Sequence, residues 1–333
     1  MLTVALLGGG FMAATHAAGY RELGERVRVA SVCSLGEERS LSLATSLGAR
    51  HVDEIGEALS DPTVDIVDVC LPTHLHREAA EKAFAAGYHV LLEKPIALTL
   101  ADADAIIAAA ESSGRLLMVG LVLRFWPEYV ALHRLIASQE LGPPRSVSTC
   151  RLSPPPDWNE WMADMSCSGG VAVDFLIHDL DQMNWLLGHP ERVMAQSPTP
   201  GHVLVIAEYE GGRCGLAEAG MAMPSSYPFS SNVHVLCENG AAQYAFSAAP
   251  ATDGGNIGGP VSGHGLRVYR ANGEADMVSV DIGDPWANEI AHFIDSVERG
   301  ESPRQGTGEQ ARAALLVSLA VNRSLESGRI EPV

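Results

Sequence analysis

Over roughly the first 120 residues the chain alternates between two hydrophobic periods. Short β-rich apolar runs occur at Thr3–Leu7, Val27–Val32, Ile66–Val69, His89–Leu92 and Leu116–Val119. Between them lie helix-period segments at Ala13–Leu23, Glu37–Leu47, Leu75–Ala86 and Leu100–Ser112. Thr99, with Asp102 three residues on, predicts an N-cap for the last of these. The strand runs are apolar at nearly every position rather than at alternate ones. That pattern marks strands buried on both faces, as in a parallel sheet covered by helices. The repeated strand–helix order predicts a doubly wound α/β domain over residues 1–122.

From residue 123 the pattern changes. A proline-rich stretch passes through Pro143-Pro144 and Pro154-Pro155-Pro156, and one helix is predicted over Val171–Leu187. Short strands are predicted at Val203–Tyr209, Gly215–Ala222, Val233–Leu236, Gln243–Phe246, Leu266–Tyr269 and Met277–Val280. Glu238-Asn239-Gly240 and Ala271-Asn272-Gly273 are hairpin signals between them. Residues 123–333 therefore read as an α+β domain around a largely antiparallel sheet. A glycine-rich loop is expected at Asp253–Gly265. A final helix is expected at Glu309–Leu325, as a candidate to pack back on the first domain. Val203–Ala207 is apolar on both alternating faces, so a helix is expected over one face and a second subunit over the other.

Composition narrows the function classes. The chain has 333 residues, with 22 Lys+Arg against 41 Asp+Glu, a formal charge of −19. So acidic a balance argues against a nucleic-acid partner and against binding at anionic membranes. No run is long enough to span a bilayer. Met1–Tyr20 carries no charge, but it lacks a basic start and is interrupted at Gly8-Gly9-Gly10. It reads as a first strand and turn rather than a secretion signal. The six cysteines form no CxxC pair, which suits neither zinc nor a disulfide framework and fits a cytoplasmic location. No metal is expected.

The turn Gly8-Gly9-Gly10-Phe11-Met12-Ala13 follows a buried strand and opens a helix. It matches G-x-G-x-x-A, where bare backbone and free helix N–H groups receive a pyrophosphate. By itself it is also an ordinary tight turn. The second strand ends in Cys33-Ser34 rather than the carboxylate that commonly holds an NAD ribose. Ser34 can donate to a 2′-phosphate and Arg39 can pair with it, which favours NADP over NAD. Glu37 and Glu38 oppose that preference, and Arg39 is also readable as a solvated helix charge.

Lys94 follows the strand His89–Leu92, at the end of the sheet where ligands bind in such folds. There its charge can lower the pKa of a substrate hydroxyl. Taken alone, Glu93-Lys94 is equally a surface ion pair. Asp174 and His178 are spaced i, i+4 on the predicted helix, so they share one face, where an acid and an imidazole suit proton transfer. A structural Asp–His pair is the alternative, and His178 lacks further ligands at zinc spacing.

Together these segments resemble the Gfo/Idh/MocA oxidoreductases, the glucose–fructose oxidoreductase, inositol dehydrogenase and rhizopine-catabolism family. The resemblance covers nearly the whole chain. It runs through GGGFMAATH with His16, LPTHLH at Leu71–His76, EKP at Glu93–Pro95 and VGLVLRFWP at Val119–Pro127. It continues through SGGVAVDFLIHDLD at Ser168–Asp181 and the segment WANEIAHFIDSVERGESPRQGTGEQARAAL. The resemblance implies a Rossmann domain followed by an open-faced sheet domain, assembled as a homodimer or homotetramer. It places Lys94, Asp174 and His178 at the catalytic positions, with His178 as the general acid/base. Gly8, Gly10, Phe11 and Met12 match the pyrophosphate turn. Leu71, Pro72, Thr73 and His76 match the segment lining the cofactor, Glu93 and Lys94 lie beside the nicotinamide, and Arg124 matches a cofactor or substrate contact. Ser34 departs from the acidic position of many members, and the pairing with Arg39 matches members that use NADP.

The activity this implies is hydride transfer between NAD(P) and a secondary alcohol or ketone of a sugar, polyol or cyclitol. The same family contains NAD-dependent glycoside hydrolases, and a non-catalytic nucleotide-binding sensor is a third reading. Trp158, Trp161 and Trp185 are candidates to stack on a sugar ring, though core packing is the commoner role of such residues. Arg151 and His264 are candidates to contact an anionic or hydroxylated substrate, though a surface position is the commoner reading of each.

Overall fold

The computed structural model describes residues 1–34, 38–155, 160–248, 265–280 and 283–333. Glu37, Trp158, His264 and most of the glycine-rich Asp253–Gly265 stretch lie outside the described residues. The chain divides into two compact units, Met1–Trp126 with Gly283–Arg312, and Pro127–Ile282 with Ala313–Val333.

The first unit begins with β1 (Leu2–Leu7), α1 (Phe11–Glu22), β2 (Val27–Cys33), α2 (Glu38–Leu47), β3 (Arg50–Val52) and α3 (Ile55–Ala58). It continues with β4 (Ile66–Val69), α4 (His76–Ala85), β5 (His89–Leu92), α5 (Leu100–Ser113) and β6 (Leu117–Val119). The six strands pair in parallel in the order β3-β2-β1-β4-β5-β6. That is the doubly wound order, with the chain reversing direction across the sheet between β1 and β4. The central strands are largely apolar, as helices covering both faces require. Val4, Leu6, Ile66, Leu91 and Met118 join one core cluster. Thr99 caps α5 as the sequence predicts, its hydroxyl accepting the Asp102 N–H at 3.1 Å.

In the second unit α6 (Pro127–Ala137) and β7 (Pro144–Leu152) precede α7 (Met165–Ser168), α8 (Gly170–Asp174) and α9 (Ile177–Leu187). Then come β8 (Arg192–Thr199), β9 (His202–Tyr209), β10 (Arg213–Gly220), β11 (Phe229–Cys237), β12 (Gly240–Ala248), β13 (Gly265–Arg270) and β14 (Ala275–Val278). α10 (Pro285–Arg299) returns to the first unit, and α11 (Gly308–Ser327) and β15 (Glu331–Pro332) close the chain. The nine strands run β14-β13-β12-β11-β7-β10-β9-β8-β15. Every pairing is antiparallel except β7 with β10. The hairpin expected at Glu238-Asn239-Gly240 joins β11 to β12, with Cys237 opposite Gly240.

One expected helix is interrupted. The segment predicted as continuous over Val171–Leu187 breaks at Phe175-Leu176, between α8 and α9. Both the Phe175 and Leu176 N–H groups donate to the Val171 carbonyl, at 3.0 and 2.8 Å. That wide turn ends the regular i→i−4 ladder, so an i, i+4 spacing across it does not define a common face. The β9 expectation is met on one face. Val203, Val205 and Ala207 are buried, while Leu204 and Ile206 are 38% and 53% exposed.

Candidate active site

The turn after β1 is shaped by close backbone approaches. Gly8 donates to the Cys33 carbonyl at 2.8 Å, and Cys70 donates to the Leu7 carbonyl at 2.8 Å. Gly8 has φ +125°, and a Cβ there would lie 2.4 Å from the Cys70 carbonyl oxygen. A Cβ on Gly9 would lie 2.4 Å from the Ser40 Cβ. Gly10 differs, since a Cβ there would meet nothing within 4 Å. It caps α1 with no side-chain hydrogen bond, and the first turn of α1 contains no acidic residue. Phe11 and Met12 begin the helix, half-buried. A helix N-terminus without a side-chain cap, bare backbone and open space at Gly10 fit a dinucleotide pyrophosphate.

Ser34 follows β2, its N–H bonded to the Val52 carbonyl at 3.1 Å. Its hydroxyl lies 3.2 Å from where a Gly9 Cβ would stand, so it borders the phosphate turn. Arg39 is exposed in the first turn of α2. Residues 35–37 between them lie outside the described residues.

The segments after β4 and β5 are tied together by His76. Its Nε2 lies 2.8 Å from the Leu71 carbonyl oxygen and its Nδ1 2.9 Å from the Pro95 carbonyl oxygen. Burial pushes the ring below the ordinary histidine pKa, and the two carbonyl acceptors only partly oppose it. Both ring nitrogens thus face backbone, and His76 fixes two turns rather than presenting a free polar group. Leu71 and Pro72 are half-buried at that turn, and Thr73 is buried. The Lys94–Pro95 peptide bond is cis. Lys94 is half-buried after β5. Arg124 is buried, and its guanidinium donates to Gln305 Oε1 at 2.8 Å.

Beneath this end of the sheet lies a buried ionisable cluster. The His16 ring has Nδ1 2.9 Å from Asp68 Oδ2 and Nε2 3.0 Å from Glu93 Oε1. Tyr20 donates its hydroxyl to Asp68 Oδ2 at 2.8 Å, and Cys70 Sγ lies 3.5 Å from both His16 Nδ1 and Asp68 Oδ1. Burial alone would neutralise His16, but the Asp68 carboxylate and its hydrogen bond carry the ring's pKa well above the ordinary value. Burial likewise pushes the Cys70 thiol up, and the Asp68 charge adds to it. Glu289 of α10 is fully buried, and neither carboxyl oxygen has a hydrogen-bond partner among the described residues. Burial first, then the Glu93 charge, holds its pKa well above the ordinary carboxyl range. The sequence reading passed over Asp68 and Glu289. A carboxylate inside the apolar run of β4 was the available signal for the first.

In the second unit, Asp174 ends α8 and is buried, and His178 stands in the first turn of α9, half-buried. The sequence puts Arg151 at the surface; the structure buries it. Its Nε donates to Asp179 Oδ2 at 2.7 Å and its Nη2 to Oδ1 at 3.3 Å, with both residues almost fully buried. The alternation of β7 explains the difference, because Val147, Thr149 and Arg151 share the inward face. This fork anchors the first turn of α9, which carries His178, onto the sheet. Trp185 stacks on His133 with ring centroids 4.0 Å apart, which gives it a packing role. Trp161 is half-buried.

A parallel sheet in this strand order, with a bare glycine turn on an uncapped helix, defines a dinucleotide-binding protein of the Rossmann class. Residues 2–121 match the model of the oxidoreductase family with an NAD-binding Rossmann fold. Residues 129–243 match the GFO/IDH/MocA C-terminal domain. The chain belongs to the Gfo/Idh/MocA family of oxidoreductases. It is 29% identical over 315 residues to the 1,5-anhydro-D-fructose reductase of Ensifer adhaerens, covering 90% of each chain. It is 25% identical to the myo-inositol 2-dehydrogenase of Thermotoga maritima, covering 98% of this chain and 97% of that one. The aldose-aldose oxidoreductase from Caulobacter crescentus shares the fold, with a TM-score of 0.85, 24% identity and coverage of 100% and 99%.

Proposed function

We propose that this protein transfers a hydride between NAD(P) and a secondary alcohol or ketone of a sugar, polyol or cyclitol. The observation that carries this is the turn at Gly8–Gly10, open at Gly10 and uncapped on α1, in a chain of this family. Phe11 and Met12 would present the helix N-terminus to the pyrophosphate, with Gly8 and Gly10 supplying the bare backbone of the turn. Leu71, Pro72, Thr73, Glu93, Lys94 and Arg124 line the nicotinamide half, with His76 fixing the turns that carry them. When bound, the nicotinamide supplies or accepts the hydride.

The chain's own residues handle the proton. His178 takes the hydroxyl proton in oxidation and returns it in reduction. Lys94 and Asp174 orient and polarise the same hydroxyl, Lys94 by stabilising developing negative charge on oxygen. Ser34 and Arg39 receive a 2′-phosphate, which favours NADP and reduction of a ketone or aldehyde. The exposed Leu204, Ile206, Leu216 and Leu236 on one sheet face suit burial in a homodimer or homotetramer. No helix among the described residues is long and apolar enough to cross a membrane. All six cysteines are unpaired, which suits a reducing cytoplasm.

Fluorescence titration of the dialysed protein with NADPH and NADH tests the reading. Tight NADPH and weak NADH are expected, with the gap closing in Arg39→Ala. A preference for NADH overturns the phosphate site, and binding of neither overturns the oxidoreductase reading.

A further inference from the structure

His16 is the sixth residue of the turn-bearing helix, and it is completely buried. Both of its nitrogens meet carboxylates, Asp68 on one side and Glu93 on the other. Where both carboxyl groups present an accepting oxygen, the ring satisfies them only by donating from both nitrogens, as an imidazolium. Asp68 is further held by Tyr20 and Cys70.

Glu93 is then fixed on three sides. Oε1 accepts from His16 at 3.0 Å, and Oε2 accepts the backbone N–H of Lys94 at 3.0 Å. Gly120 packs against it so closely that a Cβ there would lie 3.2 Å from Oε1. A continuous path of two hydrogen bonds therefore runs from a buried cation in α1 to the backbone of Lys94. Charge-assisted bonds of this kind are the stronger and more directional ones. A buried ion cluster contributes little net stability, because desolvation offsets the attraction, so stability does not account for it.

We propose that His16 is a positioning residue: its link to Glu93 fixes the Lys94 backbone and so sets where the Lys94 side chain stands. This rests on the reading of Lys94 as a group acting on the reacting hydroxyl. His16 touches neither substrate nor cofactor in this account and acts only through Glu93. The groups facing its ring are Asp68, Cys70 and Glu93, with Glu289 of α10 as a further buried acid whose pKa burial raises.

The test is heteronuclear NMR of isotope-labelled lysines and histidines in the full chain, with Lys94→Ala assigning the Lys94 signals. In the wild type the His16 ring is expected to carry protons on both nitrogens at neutral pH. In His16→Asn, and in the near-isosteric Glu93→Gln, the Lys94 side-chain signals are expected to shift. Tyr20→Phe removes a hydrogen bond from the same cluster without touching the His16–Glu93 link, and should leave them in place. Should His16→Asn fail to fold, Glu93→Gln carries the test. A merely structural role predicts that Tyr20→Phe moves the Lys94 signals as far as the other variants do, and that result overturns the proposal. So does a Lys94 signal that stays put in a folded His16→Asn or Glu93→Gln, or a neutral His16 ring. Failure of the functional reading shows elsewhere: Lys94→Ala would keep wild-type hydride transfer whatever the signals do.

Discussion

Gly8 and Cys70 meet backbone to backbone, with room for hydrogen but not for a methyl group. A Cβ at position 8 would lie 2.4 Å from the Cys70 carbonyl oxygen. The φ of +125° adds strain for any other residue, of order 1–2 kcal/mol. Gly10 has neither constraint, because the space around it is open. The two glycines should therefore fail differently. Gly8→Ala is expected to lower the melting temperature and lose cofactor binding together. Gly10→Ala is expected to melt like the wild type and still lose cofactor affinity, since its methyl would occupy the phosphate's space. Thermal melts paired with NADPH titration check both, and a Gly10→Ala protein that binds normally would remove the pyrophosphate from that turn.

His76 holds the Leu71 and Pro95 carbonyls, so its loss should be felt in both turns at once. His76→Ala is expected to weaken cofactor binding and to cost about 1 kcal/mol of stability for the one buried hydrogen bond that a neutral ring donates. Urea unfolding with parallel titration measures both. Normal affinity in a destabilised variant would confine His76 to packing.

The Arg151–Asp179 fork is a buried ion pair, and removing one partner leaves a charge without compensation. Asp179→Ala is expected to cost about 3–5 kcal/mol. It should also disturb His178 in the same helical turn. A loss of about 1 kcal/mol or less in urea unfolding, typical of an exposed pair, would contradict the buried arrangement.

Glu289 gives a pH signature of known sign. Its carboxyl keeps its proton in the folded protein well above the ordinary value of 4.5, because burial and then the Glu93 charge disfavour ionisation. The unfolded chain loses that proton first, so folding stability falls as pH rises from the unfolded value toward the folded one. Glu289→Gln removes the dependence. The variant should match the wild type in acid and gain on it as pH rises, by about 1.4 kcal/mol per pH unit within the window. Melting temperatures of both proteins between about pH 5 and about pH 8 decide it. The His16 contribution is common to both proteins and cancels. A constant difference across the series would mean that Glu289 is ionised in the fold.

Much of the first unit was legible because a parallel sheet writes itself as apolar runs. β1, β2, β4 and β5 were read to within a residue at each end. β3 and its short neighbour α3 were not, since three and four residues carry no period. β7 was hidden by alternation with Ser146, Ser148 and Cys150 on its outer face and by the prolines around it. α10 was readable in principle, with Asp284 and Pro285 opening it and Ile290, Phe293, Ile294 and Val297 on one stripe. At the site, the glycine turn was visible as a motif, while the tight approach at Gly8 and the open space at Gly10 show only in the folded chain. The break at Phe175-Leu176 was invisible, because the sequence there keeps a helical period while the hydrogen bonds do not. The His16 cluster joins residues far apart in sequence, and no local pattern announces such a contact.

We propose that His178 moves a proton during hydride transfer to or from a bound nicotinamide. The direct measurement is nicotinamide absorbance on incubating wild type and His178→Ala with NAD(P)+ and a panel of polyols, cyclitols and sugars. Binding of the reduced cofactor is followed by fluorescence in the same samples. Reduced nicotinamide should form with the wild type and be lost in His178→Ala, while cofactor affinity stays the same. Turnover at the wild-type rate in His178→Ala would contradict the account.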